Sequence, residues 1–205
     1  MVLLWEHPLS PFAQKVKIAL AEKGVPFETR MPDLLGGGDA AFAAASPRRE
    51  VPVLVDGDTT VFDSTIILEY VEDRWPTPPL LPREPAARAR VRMLEELCDT
   101  YYEAINWAVF PAVHGAAWSG NSPAAGSRLA AWLERVSARP SVAATFEAAA
   151  AAMAGFEALP SLVASGHFKR EYRDHRLEWM LRNGAADVVL EGMRKGNVRF
   201  AVPLA

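Results

Sequence analysis

The chain has little of several features that mark specialised classes of protein. It contains one cysteine, Cys98, among 205 residues, so no internal disulfide can form and a reducing compartment is expected. No apolar run approaches the ~20 residues that a membrane span needs. Neither sign of charge forms a long run, and 22 basic against 25 acidic side chains give a net charge of −3. We therefore expect neither nucleic acid nor a membrane as a partner.

Two further absences concern targeting and metals. The beginning of the chain, Met1–Glu6, is too short and too soon acidic for a signal peptide, so we expect a cytoplasmic protein. The histidines are scattered without metal-ligand spacing, so no metal is expected; they are His7, His114, His167 and His175. Half of the residues are apolar, which is enough to form the core of one large domain or two small ones.

Strand and helix patterns alternate over the first 75 residues. The predicted strands are Val2–Glu6, Val25–Arg30, Val53–Val55 and Thr60–Phe62, the last two joined by a hairpin turn at Asp56-Gly57. The predicted helices are Pro11–Lys23, Ala40–Ala45 and a third that begins at Asp63-Ser64 and ends near Arg74. On the third helix, the residues expected to face inward are Ile66, Ile67, Tyr70 and Val71. The order βαβαββα predicts a mixed sheet with helices on both faces.

A proline-rich linker and an all-helical pattern follow. Five prolines between Trp75 and Pro85 predict a boundary, with domains at 1–77 and 84–205. The predicted helices of the second domain are Ala86–Val109, Ser127–Ala138, Val142–Glu157, Phe168–Arg182 and Ala185–Met193. Cys98 shares an apolar stripe with Val91 and Leu94, which predicts an inert buried thiol. Opposite charges over Lys169–Trp179 predict a helix face with many salt bridges.

Ser10 precedes the first predicted helix and is followed by Pro11. Helix capping alone would explain a serine there, with proline at the first helical position. A hydroxyl at a helix N-terminus can also donate to a thiolate, and the helix dipole adds positive potential. Such surroundings lower a thiol pKa from ~8.5 into the range ~3.5–7.5. A shift of about two units needs roughly 2.7 kcal/mol, which one charge-assisted hydrogen bond and a dipole could supply.

Two later motifs offer groups that suit a peptide. Pro52 directly precedes a strand, which predicts either a simple strand start or a cis bond that turns the Val51 backbone groups outward. Asp63-Ser64 begins a helix, where a capping role is certain. Free N–H groups and the Ser64 hydroxyl would also bind a carboxylate there, while Asp63 suits an ammonium group. The combination predicts a site for an α-amino-acid head group.

These motifs together resemble those of a known family. Ser10–Gly24 (SPFAQKVKIALAEKG), Glu50–Leu54 (EVPVL) and Asp63–Tyr70 (DSTIILEY) are similar to the N-terminal thioredoxin-like domain of cytosolic glutathione transferases. The resemblance implies that Ser10 activates the thiol of glutathione, the co-substrate. It also implies a binding set of Phe12, Glu50, Val51, Pro52, Asp63 and Ser64, in which Val51 pairs with the cysteinyl backbone. Glu50 stands where some relatives carry lysine.

The second half is similar to the helical domain of the same superfamily, most clearly at residues 130–142. Helical sequence that relatives carry after Trp107 has no counterpart here, which indicates either a natural deletion that shortens the domain or an absent part of the chain. The pocket for an apolar electrophile is assigned to the long helix by this resemblance, with core packing as the alternative role; its candidates are Tyr101, Tyr102, Ile105 and Asn106. A homodimer is implied as well.

The resemblance favours an enzyme in which the glutathione thiolate attacks a small apolar electrophile. The alternatives are a binding or interaction protein that kept the fold without turnover, and a glutathione-dependent isomerase or ether-cleaving enzyme.

Overall fold

The computed structural model describes residues 1–33, 39–102, 123–153, 170–172, 180–182, 184–196 and 198–200. Contacts within the chain define two units. The first contains Met1–Glu84 and a helix from later in the chain, Pro140–Met153. The second contains Pro85–Ala138 and the described segments after residue 169.

The first unit is built on a four-stranded mixed sheet. Its strands are β1 (Val2–Trp5), β2 (Phe27–Arg30), β3 (Val53–Asp56) and β4 (Thr59–Phe62), in the spatial order β2-β1-β3-β4. β1 runs parallel to β2 and antiparallel to β3, which pairs antiparallel with β4. The helices are α1 (Pro11–Glu22), α2 (Ala40–Ala45) and α3 (Ser64–Arg74). This confirms the predicted βαβαββα order.

Local chemistry explains where these elements begin and end. Ser10 caps α1, and Pro11 occupies the first helical position, where its missing N–H costs nothing. Gly24 follows the helix with φ of +65°, which glycine adopts without steric cost. Gly57 has φ of +60° in the tight β3–β4 turn, as the Asp56-Gly57 motif predicts.

Apolar side chains are buried on both faces of the sheet. One cluster joins the sheet to α1 and α3; its buried members are Val2, Leu4, Val16, Leu20, Val25, Leu54, Ile67 and Val71. The other face buries Trp5 and Val53 against Phe42 of α2, with the Trp5 and Phe42 rings 5.4 Å apart. The alternation of β1 between these clusters follows from the two-residue period of a strand. Helices on both faces are thereby confirmed.

One expected inward residue of α3 lies outside this core. Ile67 and Val71 are fully buried and Tyr70 packs against the same cluster. Ile66, expected to face inward, is instead 55% exposed. Neighbouring helical residues are rotated by about 100°, so the stripe centred on Ile67 and Val71 leaves Ile66 at its outer side.

The linker is fixed to the first unit by one buried ion pair. The Lys23 side chain is fully buried, and its Nζ lies 2.8 Å from Oε2 of Glu72. The same Nζ donates to the carbonyls of Trp75 (2.6 Å) and Pro78 (2.9 Å). Glu72 accepts the N–H groups of residues 80 and 81. This set, which we call the linker clamp, fastens residues 75–81 to α1 and α3.

A helix from beyond the linker also packs in the first unit. This helix is labelled α6 (Pro140–Met153), because α4 (Pro85–Leu97) and α5 (Arg128–Ser137) precede it. It contacts α1, and its Val142 and Thr145 are buried. Glu22, the last residue of α1, accepts hydrogen bonds from Arg139 (Nε, 2.9 Å) and from the Ser141 hydroxyl.

Among its described residues, the second unit is helical apart from one short strand pair. Ser127 caps α5, where its Oγ accepts the Ala130 N–H at 3.1 Å, and α7 spans Ala186–Arg194. α4 ends at Leu97 and continues as a π-helical turn, Cys98–Tyr102. The residues predicted to continue this helix, 103–109, lie outside the described residues, and so does Trp179.

Two expectations for this unit are wrong. Cys98 is exposed rather than buried, and its stripe neighbours Val91 and Leu94 are exposed too. An apolar stripe shows which face another element would cover, and none of the described side chains of α4 is buried. The helix expected over Phe168–Arg182 is interrupted by the strand β5 (Arg170–Tyr172), which pairs in parallel with β6 (Val198–Phe200). Pairing between distant segments overrides the local charge pattern there.

Candidate functional site

Strand register brings the three sequence motifs to the same end of the sheet, where β1 and β4 end and β3 begins. In the β1–β3 pairing Trp5 lies opposite Val53, so the end of β1 adjoins the start of β3. Val53 also lies opposite Phe62, so β4 finishes at the same end of the sheet. The segments that follow or precede these positions carry Ser10, Val51-Pro52 and Asp63. The sheet therefore gathers all three motifs although they span more than fifty residues of sequence.

Ser10 is held at the first turn of α1 by a compact loop. Its Oγ accepts the Ala13 N–H at 3.3 Å, which confirms the capping role. Its backbone N–H donates to the His7 carbonyl at 2.8 Å. An Oγ that accepts this bond still carries its own hydrogen for donation to a ligand. Phe12, in the same first turn, is 8% exposed and packs inward, which fixes the direction in which α1 begins.

The loop before Ser10 contains a histidine whose surroundings favour its neutral form. The Nδ1 of His7 accepts the Leu9 N–H at 3.2 Å. Burial lowers the pKa of His7, and the charge of Glu6 only partly opposes this. A neutral imidazole with an unprotonated Nδ1 is the form that this bond requires. Gln14 closes the loop by donating from Nε2 to the Pro8 carbonyl at 2.7 Å.

The segment before β3 contains a cis peptide bond, one of the two alternatives that the sequence left open. The Val51-Pro52 bond is cis, which confirms that alternative. Val51 is half-buried, and its backbone N–H and C=O have no hydrogen-bond partner within the described residues. A pair of backbone groups without an internal partner, at the end of a strand, is what an extended peptide would use.

The third segment begins α3 with an acidic cap. Asp63 has φ of +73°, and its Oδ1 accepts the N–H groups of Thr65 (3.0 Å) and Ile66 (3.5 Å). Ser64 is 5% exposed. Lys15 of α1 reaches the same turn, where its Nζ donates to Thr65 Oγ1 at 3.4 Å. This contact ties the start of α3 to α1, on which Ser10 is placed.

Two residues outside the predicted binding set, Ser46 and Arg48, organise the loop before cis-Pro52. Ser46 is 1% exposed; its hydroxyl donates to the Glu50 carbonyl and accepts the Glu50 N–H, both at 3.0 Å. Arg48 forms an ion pair with Glu50 at 2.9 Å and lies 3.8 Å from Asp63 Oδ2. A serine directly after an alanine-rich helix was the available signal for Ser46. Alternating charge at Arg48 and Glu50 was the signal for the pair.

The electrophile-pocket candidates are not tested by these contacts. Tyr101 and Tyr102 belong to the π-helical turn of the second unit, and Ile105 and Asn106 lie outside the described residues. Within the described residues no cluster of three metal-ligating side chains is found. No helix among those residues is long and apolar enough to cross a membrane.

Comparison with known proteins agrees with this arrangement. Residues 4–79 match the family described as the glutathione S-transferase N-terminal domain. Glutathione S-transferase U6 of Arabidopsis thaliana is 37% identical over 90 residues, which are 44% of this chain and 40% of that protein. A stringent starvation protein A homolog of Coxiella burnetii is 38% identical over 94 residues, which are 46% of this chain and 44% of that protein. The match thus spans less than half the length of these relatives.

Solved structures of similar sequence give the same partial coverage. A glutathione S-transferase from Rhodospirillum rubrum is 42% identical with a TM-score of 0.46, over 48% of this chain and 45% of the other. A rice GST1 solved in complex with glutathione is 35% identical with a TM-score of 0.47, over 51% of this chain and 50% of the other.

Proposed function

We propose that this chain, a member of the cytosolic glutathione S-transferase superfamily by its N-terminal domain, uses Ser10 to activate the thiol of glutathione for attack on a small apolar electrophile. The observation that carries the proposal is that Ser10, the Val51 backbone and the start of α3 lie at the same end of the sheet. The relatives named glutathione S-transferases support glutathione as the co-substrate.

The chemistry assigns one part of the tripeptide to each segment. The Ser10 hydroxyl donates to the thiolate, and the first turn of α1 adds positive potential. The N–H and C=O of Val51 pair with the cysteinyl backbone beside cis-Pro52. Asp63 and Ser64 hold the γ-glutamyl head group, with the Asp63 carboxylate facing its ammonium.

The reaction then needs only a reactive carbon. The thiol proton goes to solvent, the thiolate sulfur attacks the electrophilic carbon, and a carbon–sulfur bond forms. Either a leaving group departs with its electron pair or the product is an adduct. Proximity and the lowered thiol pKa supply the rate gain. A disulfide reductase is disfavoured because the helix begins with serine where that chemistry uses cysteine.

The first test removes the hydroxyl. We expect Ser10→Ala to raise the pH midpoint of thiolate formation in bound glutathione by about one to two units, because a charge-assisted hydrogen bond is lost. One pKa unit is a tenfold change in the ionisation equilibrium, so turnover at pH 7 should fall about 10- to 100-fold. The midpoint is followed by the ultraviolet absorbance of the thiolate as pH is varied.

Ser10→Thr is the matched control, since it keeps both the hydroxyl and the cap. Both variants need a thermal-unfolding measurement, because losing an N-cap alone costs about 1 kcal/mol. If Ser10→Ala folds and leaves both the midpoint and turnover unchanged, Ser10 has only a capping role.

A second candidate is a glutathione-binding interaction protein without turnover. It stays open because this chain is as similar to proteins that are not named as transferases, the stringent starvation protein A homologs, as it is to a transferase (38% against 37% identity). Retention on immobilised glutathione, together with no turnover of any electrophile in a panel of aryl halides, epoxides and enones, would favour it. Isomerisation or ether cleavage in the same panel would identify the other enzymatic variants.

The remaining parts of the proposal concern the whole protein. We propose a homodimer in the reducing cytoplasm, with no metal and no nucleic acid as partner. Sedimentation equilibrium of the purified chain tests the oligomeric state, and a monomer at micromolar concentration would contradict it.

A further inference from the structure

The turn that leads into Ser10 is closed by the side chain at its first position. Residues 7–10 form a β-turn in which the Ser10 N–H donates to the His7 carbonyl at 2.8 Å. The Nδ1 of His7 also accepts the N–H of Leu9, two residues further on, at 3.2 Å. Pro8, at the second position, has its φ fixed by its own ring. The backbone and the imidazole of His7 therefore both help to set where Ser10 lies.

The imidazole nitrogen takes the place that an oxygen usually has in such turns. Asp, Asn and Ser are preferred at the first position, because their side-chain oxygens accept the N–H group two residues further on. The amide oxygen of an asparagine accepts at any ordinary pH, whereas the Nδ1 of a histidine accepts only while it is unprotonated. The acceptor in this turn is thus one that a single proton removes.

The charged groups around the end of β1, where His7 lies, come from three segments. Glu6 directly follows β1 and is buried, and its Oε1 lies 3.2 Å from the Nζ of Lys17 on α1. Arg30 ends β2, and its carbonyl accepts the Glu6 N–H at 2.9 Å. Burial lowers the pKa of His7 below 6.5, and the charge of Glu6 opposes this only in part. The surroundings therefore favour the form of the ring that can accept the Leu9 N–H.

Resting on the proposed function, we infer that His7 is the positioning residue of the site: its neutral Nδ1 holds the turn that places the Ser10 hydroxyl against the thiolate, and a proton on that nitrogen releases the turn. Ser10 remains the residue that touches the sulfur. Because the folded pKa of His7 is below the unfolded value of 6.5, the closed turn is fully present above pH 6.5. It is lost as the pH falls through the folded pKa.

The first experiment compares His7→Ala with His7→Asn in the full chain. His7→Ala removes the acceptor, whereas His7→Asn is the matched control, since its amide oxygen accepts the same N–H and does not titrate. We expect His7→Ala to raise the pH midpoint of thiolate formation in bound glutathione by about half a unit to one unit, the effect of losing one neutral hydrogen bond. Turnover at pH 7 should fall about 3- to 10-fold, and His7→Asn should keep it within about twofold of the wild type. A His7→Asn variant that behaves like His7→Ala overturns the inference.

A double variant shows whether His7 acts through Ser10. In a Ser10→Ala background the hydroxyl that the turn positions is absent, so adding His7→Ala should shift the midpoint by less than about 0.3 unit. Equal shifts in both backgrounds overturn the inference. S-methylglutathione has no thiolate to stabilise, so its Kd should stay within about twofold in His7→Ala. A general distortion of the site would instead weaken this ligand as well, which would also overturn the inference.

The pH profile tests the titrating nitrogen itself. Wild type and His7→Asn share the ionisation of the thiol, so the ratio of their turnover isolates His7. We expect the wild-type to His7→Asn ratio to be constant above pH 6.5 and to fall as the pH decreases through the folded pKa of His7. NMR of the imidazole nitrogens measures that pKa, with the His7 signals assigned by their absence in His7→Asn. A ratio that stays constant across the protonation of His7 overturns the inference, and this measurement does not depend on the folding of His7→Ala.

Failure of this inference is distinguishable from failure of the proposed function. If the wild type takes up no glutathione, or if Ser10→Ala leaves the thiolate midpoint unchanged, both are overturned. If Ser10→Ala raises the midpoint and a folded His7→Ala does not, only the role of His7 is overturned. Thermal unfolding of each variant confirms that the comparison is made on folded protein.

Discussion

At the scale of single residues, Ser46 shows how one buried hydroxyl can set the shape of the loop before cis-Pro52. Its hydrogen bonds to both backbone groups of Glu50 fix the residue that precedes Val51. Ser46→Ala removes both of these hydrogen bonds at a residue that is 1% exposed. We expect a loss of about 1–3 kcal/mol in unfolding free energy, measured by urea denaturation.

The same variant should also weaken glutathione binding, because Val51 loses its fixed position. Ser137→Ala, at the half-exposed end of α5, is the control and should change neither quantity by more than about 0.5 kcal/mol. Normal stability and normal binding in Ser46→Ala would show that the loop holds its shape without the hydroxyl.

Which residues were predictable depends on how local their contacts are. Ser10 and Asp63 were recognised because a cap is defined by the few residues after it. Ser46 acts only through the path of the loop, which includes Arg49 at φ of +52°, and no propensity predicts that path. Ile66 and Cys98 were misplaced because periodicity indicates a face without showing where its edge lies or what covers it.

At the scale of elements, α1, α3 and the proline-rich linker are joined by the linker clamp of Lys23 and Glu72. Burial alone would raise the pKa of Glu72, but hydrogen bonds from Lys23 and from the N–H groups of Leu80 and Leu81 outweigh it and lower the pKa. The charged form is therefore the one the fold selects. The sequence placed a boundary at these prolines, and the structure adds that the linker is bound to the first unit rather than free.

Lys23→Met tests the clamp. It leaves Glu72 buried without its cation, and we expect a loss of about 3–5 kcal/mol in unfolding free energy. Adding Glu72→Gln should recover part of that loss, because the remaining carbonyl can still accept from the linker. The double-mutant cycle is measured by urea denaturation.

The exposed pair of Lys195 and Glu191 provides the control. Lys195→Met should cost less than about 1 kcal/mol, as surface ion pairs do. Purely additive effects of Lys23→Met and Glu72→Gln would contradict a coupled clamp. Limited proteolysis within residues 75–81 should be faster in Lys23→Met if the linker is released.

At the scale of the whole molecule, the first unit is completed by a helix that comes much later in the chain. Glu22 and Arg139 are 117 positions apart in sequence, and their contact places α6 on α1. Sequence patterns predicted the helix itself, to within two residues at its start. They could not indicate which unit it packs in, because that depends on a pairing of distant side chains and not on local periodicity.

Acid titration tests this long-range contact. Hydrogen bonds from Arg139 and Ser141 lower the pKa of Glu22 to about 2. Because the folded pKa is below the unfolded value of 4.5, the contribution of Glu22 to stability is fully present above pH 4.5. It is lost as pH falls from 4.5 towards 2. The urea midpoint of the wild type should therefore decrease across this window.

Glu22→Gln should lower the urea midpoint at pH 7 and flatten its decrease between pH 4.5 and pH 3, since the titrating group is gone. Exposed Glu28→Gln on β2 is the matched control and should leave the slope unchanged. Because Arg139 is more than half exposed, added salt should reduce the difference between Glu22→Gln and the wild type. An acid slope that is the same in wild type and Glu22→Gln would mean that this pair does not hold α6 to α1 in solution.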